Sequence, residues 1–238
     1  MEKNKDLEQF VYIASHDLQE PLSTISSISK MLSTEYRDTL DENGQSYIDF
    51  ISGSVSRMHL LVKDLMDHSR LGKEFKFYHI DTNEIVNQIQ KDLSKKIKES
   101  KTTIIVEDLP DIFGNEAIIR QLFQNLLTNA IKFREKDIHP IITIKGGENK
   151  THWQFSVSDN GIGIKKKDRI KIFKIFHRLH RHEVYKGTGI GLANCKKIVE
   201  IHHGKIWVTP NESRGCTFIF TINKKLNNEN SKISNANR

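Results

Sequence analysis

Apolar residues at Leu7, Phe10, Ile13 or Ala14, Leu18, Ile25, Ile28 and Leu32 recur at steps of three and four, the spacing that lines one face of an α-helix. This predicts a long amphipathic helix over residues 7–32. Polar residues 33–45, Gly44 among them, interrupt it before Ile48, Ile51, Val55, Met58, Leu61 or Val62 and Leu65 resume the same step to about Ser69. Two such helices make a hairpin. A lone hairpin buries little of its apolar surface, so it is expected to pair with a second copy in a four-helix bundle, which makes the protein a homodimer. Pro21 lies inside the first helix and should bend it, because proline removes a backbone donor and crowds the preceding turn.

After residue 72 the texture changes. Residues 76–80 read as a strand, 82–98 as a helix opened by Asp81 or Thr82, and 103–106 as a strand. A helix over 116–133, strands over 141–145 and 153–158, and a basic segment up to Lys186 come next. A helix over 190–202 and two strands over 205–209 and 217–222, flanking a turn at 211–215, complete the pattern. Mixed strands and helices without strict alternation predict helices layered on one face of a mixed sheet. The expected organisation is a helical hairpin domain over 1–72, an α+β domain over 76–223 and a disordered Asn-, Ser- and Lys-rich tail over 224–238.

Composition narrows this little. The 238 residues are 37% hydrophobic, ordinary for a globular protein. No apolar run is long enough to span a bilayer and the first residues lack a secretory signal, so a cytoplasmic protein with no membrane span is expected. Residues 1–75 hold 8 Lys and Arg against 13 Asp and Glu, a net of −5, which leaves +12 for the remainder of a chain whose total is +7. A basic domain suits nucleic acid or a polyphosphate such as ATP equally.

The chemistry-bearing residues fall in four groups. The first is Ser15-His16-Asp17-Leu18-Gln19-Glu20-Pro21-Leu22, which the seam positions Ile13 and Leu18 place so that His16 points outward. A neutral exposed imidazole can attack a phosphoryl group, and Asp17 can orient the ring or accept its proton. An isolated His-Asp pair is more commonly a solvated surface pair.

The second group lies in the helix over 116–133, where Asn125, Asn129 and Lys132 are four and three residues apart. They share a face while Leu122, Leu126 and Phe133 can turn to the core. Amide oxygens suit a hard Mg²⁺, and Lys132 can neutralise phosphate; an ordinary polar helix face is the plainer reading. The third group, Asp159-Asn160-Gly161-Ile162-Gly163-Ile164, follows a strand. Its acid can accept from an exocyclic amine and its glycines admit a flat ligand, although a simple turn would use the same residues.

The fourth group is Lys186-Gly187-Thr188-Gly189-Ile190-Gly191-Leu192, opening a helix. Backbone N–H groups at such a start bind phosphate, or the glycines are only a flexible lead-in. The spacing differs from a dinucleotide fingerprint and lacks the Gly-Lys-Ser/Thr of a P-loop. Between the glycine groups, residues 165–185 carry Lys165, Lys166, Lys167, Arg169, Lys171, Lys174, Arg178 and Arg181. This segment reads as a phosphate-attracting lid that orders with nucleotide, anchored by Phe173 and Phe176, with Arg178 as the triphosphate contact; a short surface helix docked by the two phenylalanines is the plainer reading, and the three-lysine run is more commonly a solvated face. Cys195, His202, His203 and Cys216 lack paired ligand spacing, so no zinc site is expected and both cysteines read as small core residues.

In this order the four groups resemble the histidine, asparagine and two glycine boxes of sensor histidine kinases, and Phe173-Lys174-Ile175-Phe176 resembles their phenylalanine box. The resemblance covers residues 5–222, and five motifs in order are far more specific than any one. The residues 15–22, Arg178-Leu179-His180 and Gly-Thr-Gly-Ile-Gly-Leu are most similar to kinases attached to PAS or phytochrome-type sensors.

The resemblance implies an α-helical hairpin in a dimeric four-helix bundle, followed by an α+β sandwich of the Bergerat ATP-binding type. It implies that His16 receives the γ-phosphoryl group with help from Asp17, and that a response regulator receiver domain then accepts it on an aspartate. Asn129 would be a Mg²⁺ ligand with Asn125 as its neighbour, Lys132 a phosphate contact, and Asp159 the adenine-recognising acid. Gly161, Gly163, Gly187, Thr188, Gly189, Gly191 and Leu192 would shape the pocket and lid. Binding of nucleic acid is not implied. Many members carry Thr or Asn where this chain has Glu20, so weak phosphatase activity is expected. Few residues precede the first helix, and input is expected from an upstream sensor domain or a sensory partner. The competing readings are a noncatalytic relative whose ATP domain has decayed, and an ATPase or protein serine kinase on the same nucleotide fold.

Overall fold

The computed structural model describes residues 2–71, 76–179, 185 and 187–226, with the backbone alone for 2–13 and 16. The chain divides into two compact units, with the boundary between residues 72 and 73. No helix among the described residues is long and apolar enough to cross a membrane.

The first unit is a hairpin of α1 (Glu2–Glu35) and α2 (Glu42–Arg70), joined through a 3₁₀ turn at Arg37–Thr39. α1 continues through Pro21. Asp41 caps α2 by accepting the Gly44 N–H at 2.7 Å, satisfying a donor the helix cannot pair internally. The turn is held by Arg37, bidentate on Asp49 at 3.0 and 3.1 Å, and by Gln45, whose amide donates to the Arg37 and Leu40 carbonyls. Leu22, Val55, Val62 and Met66 form the buried seam. That seam is narrower than the apolar stripe: Leu18, Ile25, Ile28, Leu32, Ile51 and Met58 stay exposed. A stripe this wide needs more cover than one partner helix gives.

The second unit runs β1 (Tyr78–Ile80), α3 (Thr82–Asp92), α4 (Ser94–Ser100), β2 (Thr103–Val106), β3 (Ile112–Gly114), α5 (Glu116–Lys132), β4 (Ile141–Glu148), β5 (His152–Asp159), α6 (Gly191–Ile201), β6 (Ile206–Pro210) and β7 (Cys216–Asn223). Its main sheet has the order β2-β4-β5-β7-β6, parallel only between β2 and β4. β1 pairs antiparallel with β3, a three-residue strand too short to leave a periodic signal. The single helix expected over 82–98 is two, parted at Leu93, whose φ of −87° and ψ of 3° break the helical run.

Alternate residues of the sheet turn inward: Ile142 and Ile144 of β4, Phe155 and Val157 of β5, and Phe218, Phe220 and Ile222 of β7 are buried. α5 covers them with Ile119, Leu122, Phe123 and Leu126. At the centre Phe123 meets Phe155 and Phe220 edge-on at 5.6 and 5.4 Å, and those two stack at 5.1 Å, the geometries ring quadrupoles favour. The fold continues beyond the expected end at 223. The Lys224 N–H donates to Thr151 O at 3.0 Å, its ammonium sits 4.2 Å from the Trp153 ring, and Leu226 is buried. Residues 227–238 of the expected tail lie outside the described residues.

Candidate functional site

Period two along β5 puts Asp159 on the core side with Phe155 and Val157, opposite Ile142. A carboxylate there needs donors, since an unpaired buried charge is costly. Oδ1 accepts from the Gly161 N–H at 2.9 Å and the Cys216 N–H at 3.4 Å, and Oδ2 accepts from the Cys216 thiol at 3.4 Å. Burial is the larger influence and holds the carboxyl above the usual range, with these three bonds opposing it. Cys216 is therefore more than the small core residue its sequence suggested. Thr217 pairs with Ser158, and that register brings Cys216 to the acid, a neighbourhood visible only once the sheet order is known.

The loop after Asp159 seals onto the end of α5. Ile162 N–H donates to Phe133 O at 3.1 Å, and a Cβ on Gly161 would lie 2.2 Å from that oxygen. Gly163 has φ +69° and passes close to Gly215, a conformation glycine adopts without steric cost.

Along α5, Asn125, Asn129 and Lys132 are half-buried on one face, while Leu122, Phe123, Leu126 and Leu127 are buried on the other. Asn125 Nδ2 donates to Gly191 O at 3.3 Å, linking α5 to the first turn of α6, where Leu192 is also half-buried. The Asn129 amide makes no hydrogen bond among the described residues. No group of three or more His, Cys, Asp or Glu suited to a metal occurs among them either. Two amide oxygens alone fit an ion that draws most of its shell from water and from a bound ligand's oxygens, which is how Mg²⁺ binds.

Lys132 ends this face, with its ammonium 4.0 Å from the Phe133 ring. Burial chiefly, then Arg178, then Lys96, lower its pKa to about 8. Lys96, on α4, is a cation the sequence reading did not single out. Its proximity arises from the packing of α4 against α5, which no local pattern reveals. A Cβ on Gly187 would lie 3.1 Å from Lys132 Nζ, and one on Gly189 would lie 3.0 Å from Arg178 Cγ. Gly187 and Gly189 have φ +153° and +80°. Thr188 Oγ1 accepts the Ile190 N–H at 3.5 Å.

The basic segment is folded over 165–179, with 3₁₀ turns at Lys166–Asp168 and Lys171–Phe173. Of the two expected anchors, Phe173 is packed and Phe176 is not. Ile172 is buried and Phe173 packs edge-on at 6.4 Å from Phe218, whereas Phe176 is exposed at φ +61°. Arg181 and Lys186 lie outside the described residues.

The structure thus gathers Asn125, Lys132, Asp159, Gly161, Gly187, Gly189, Gly191 and Arg178 around the sheet end of β5, the C-terminal half of α5 and the start of α6. His16 and Asp17 belong to the hairpin unit, within α1; Asp17 and Glu20 are exposed. The outward orientation expected of His16 concerns a side chain outside the described residues. Of the zinc-type residues, His202 is fully buried; its Nδ1 donates to Ile198 O at 2.8 Å and its Nε2 accepts from the Asn115 N–H at 3.4 Å.

Residues 6–74 match the His Kinase A (phospho-acceptor) domain, and residues 114–226 match the histidine kinase-, DNA gyrase B- and HSP90-like ATPase family. The phytochrome-like protein Cph1 of Synechocystis sp. is 42% identical over 220 residues, covering 92% of this chain and 29% of Cph1. The chain therefore spans less than a third of the length of that relative. The catalytic domain of the histidine kinase ThkA superposes with a TM-score of 0.54 at 31% identity, over 63% of this chain and 99% of that domain. ThkA in its crystal with the response regulator protein TrrA gives a TM-score of 0.61 at 25% identity, over 94% of this chain and 63% of ThkA. With the phospho-acceptor hairpin and the ATPase sheet present in that order, the chain belongs to the sensor histidine kinases.

Proposed function

We propose that the chain is an ATP-dependent protein histidine kinase of a two-component system, which phosphorylates its own His16 and passes the group to a response regulator aspartate. The observation that carries this reading is that the loop after the buried, donor-supported Asp159 bonds to Phe133 O, next to Lys132 and its neighbouring cation Arg178, so that an acid lies at one end of this stretch and two cations at the other. One end suits a flat amine-bearing base and the other a polyphosphate. Asp159 accepts from the adenine amine, and Gly161 and Gly163 let the loop after it fold closely onto Phe133 and Gly215. Lys132, Arg178 and the N–H groups from Gly187 through Thr188 and Gly189 to Gly191 and Leu192 meet the phosphates.

Mg²⁺ would be held by Asn129 with Asn125 beside it, and it would neutralise phosphate charge as the γ-group transfers. In the transfer, a ring nitrogen of neutral His16 forms the N–P bond. The bond from the γ-phosphorus to the β–γ bridging oxygen breaks and ADP leaves. Asp17 accepts the proton the imidazole loses. The exposed apolar stripe of the hairpin supports a homodimer. A phytochrome-like relative supports an upstream sensor, and the ThkA–TrrA complex supports a receiver-domain partner. Two free cysteines suit the cytoplasm.

Incubation with γ-labelled ATP tests the chemistry. A phosphoramidate gives an acid-labile, base-stable label. An acid-stable label would favour a serine kinase, and release of phosphate without label an ATPase.

A further inference from the structure

Two cations held together repel, and Lys132 registers the presence of Arg178. Arg178 is exposed and belongs to no helix or strand, so its place near Lys132 needs a tether. Tyr185 supplies one. Its carbonyl accepts from Arg178 Nη2 at 2.9 Å, and its hydroxyl donates to Arg134 O at 2.9 Å. Its ring lies 5.0 Å from that of Phe133 at 50°, and Phe133 is the ring beneath the Lys132 ammonium. A continuous path therefore runs from the Arg178 guanidinium through residue 185 to the end of α5.

We propose that Tyr185 is a positioning residue of the nucleotide site: by fastening its own backbone to Phe133 and Arg134, it holds the Arg178 guanidinium beside Lys132 for a polyphosphate. This rests on the ATP-binding reading above. The charge-assisted bond from Arg178 is among the stronger hydrogen bonds available to it. It costs the ligand less ordering than a free arginine would, because the guanidinium is aimed before the phosphates arrive. Gly189 fits the same arrangement, since the Arg178 stem passes where its Cβ would be. A bound polyphosphate then relieves the repulsion the tether maintains.

The test is a double-mutant cycle on the whole 238-residue chain, reading the Kd of a non-hydrolysable MgATP analogue by titration calorimetry. Tyr185→Phe keeps the ring and loses the hydroxyl bond; it should weaken binding about 2- to 10-fold, the range of one hydrogen bond. In an Arg178→Ala background the same change should cost nothing further, because Tyr185 acts through Arg178. Both Tyr185→Ala and Arg178→Ala should also move the alkaline loss of affinity to higher pH, as Lys132 loses its neighbouring cation; a merely structural tyrosine would not reproduce the arginine's shift. Should Tyr185→Ala not fold, the phenylalanine cycle decides. Equal costs of Tyr185→Phe with and without Arg178, or no cost at all, would overturn the inference. A wild-type chain that binds no MgATP analogue would instead overturn the nucleotide reading itself.

Discussion

Cys216 donates twice to Asp159, from its N–H to Oδ1 and from its thiol to Oδ2, both at 3.4 Å. The thiol aligns the acid proposed to accept from the adenine amine. Cys216→Val keeps the bulk and the backbone donor but removes the side-chain donor, and should weaken MgATP binding about 2- to 10-fold. Cys216→Ser, which restores a donor, should stay within about 2-fold. Titration calorimetry reads both; equal losses would assign the effect to packing.

Nucleotide affinity should fall on both sides of neutral pH. Lys132 loses its proton as pH rises through about 8, so phosphate binding weakens there and not near the ordinary 10.5. On the acid side Asp159 must be ionised to accept from the base. Because its carboxyl is held high by burial, affinity falls at a higher pH than an exposed Asp would give. The signs for stability are opposite. Lowered in the fold, Lys132 binds its proton more tightly when unfolded, so stability rises with pH between about 8 and 10.5. The raised Asp159 favours the fold below its unfolded value of 3.8, and that contribution is lost as pH rises through the folded value. Lys132→Met should therefore raise the apo Tm at pH 7 while weakening MgATP about 10- to 100-fold. Calorimetric titrations across pH and thermal melts check both halves.

Gly161→Ala should destabilise the second unit by about 1–3 kcal/mol, as overpacking does. The new Cβ would lie 2.2 Å from Phe133 O, a backbone atom that cannot step aside cheaply. Gly147→Ala, with nothing within 4 Å of its Cβ, is the control and should leave the melting curve within about 0.5 kcal/mol. Urea denaturation of the two variants reads the contrast.

Glu20 is exposed on α1, one helical turn after His16. A carboxylate lacks the hydroxyl or amide donor that would position a water for attack on the regulator's phosphoaspartate. The chain should dephosphorylate its regulator slowly, and Glu20→Asn should accelerate it. Rapid loss of phosphate from the regulator with the unchanged chain and no nucleotide would refute this.

Much of this was legible in the chain itself. Period three-to-four marked both hairpin helices, because an amphipathic helix repeats its apolar positions at that local step. The α5 face of Asn125, Asn129 and Lys132 could be read because helical spacing is local. What could not be read was non-local. Cys216 meets Asp159 through sheet pairing across 57 positions, and Lys96 nears Lys132 through helix packing. Tyr185 reaches Arg134 across 51 positions. Phe176 was expected as an anchor because it is aromatic, but aromaticity does not say which way a side chain turns in an irregular segment; Phe176 is exposed while Ile172 is buried.

The proposed kinase activity requires that His16 carry the phosphoryl group. The direct measurement is incorporation of label from γ-labelled ATP into the whole chain beside its His16→Ala variant, with both shown to bind MgATP equally. An acid-labile, base-stable label is expected on the parent chain and none on the variant. An undiminished label on His16→Ala would contradict it.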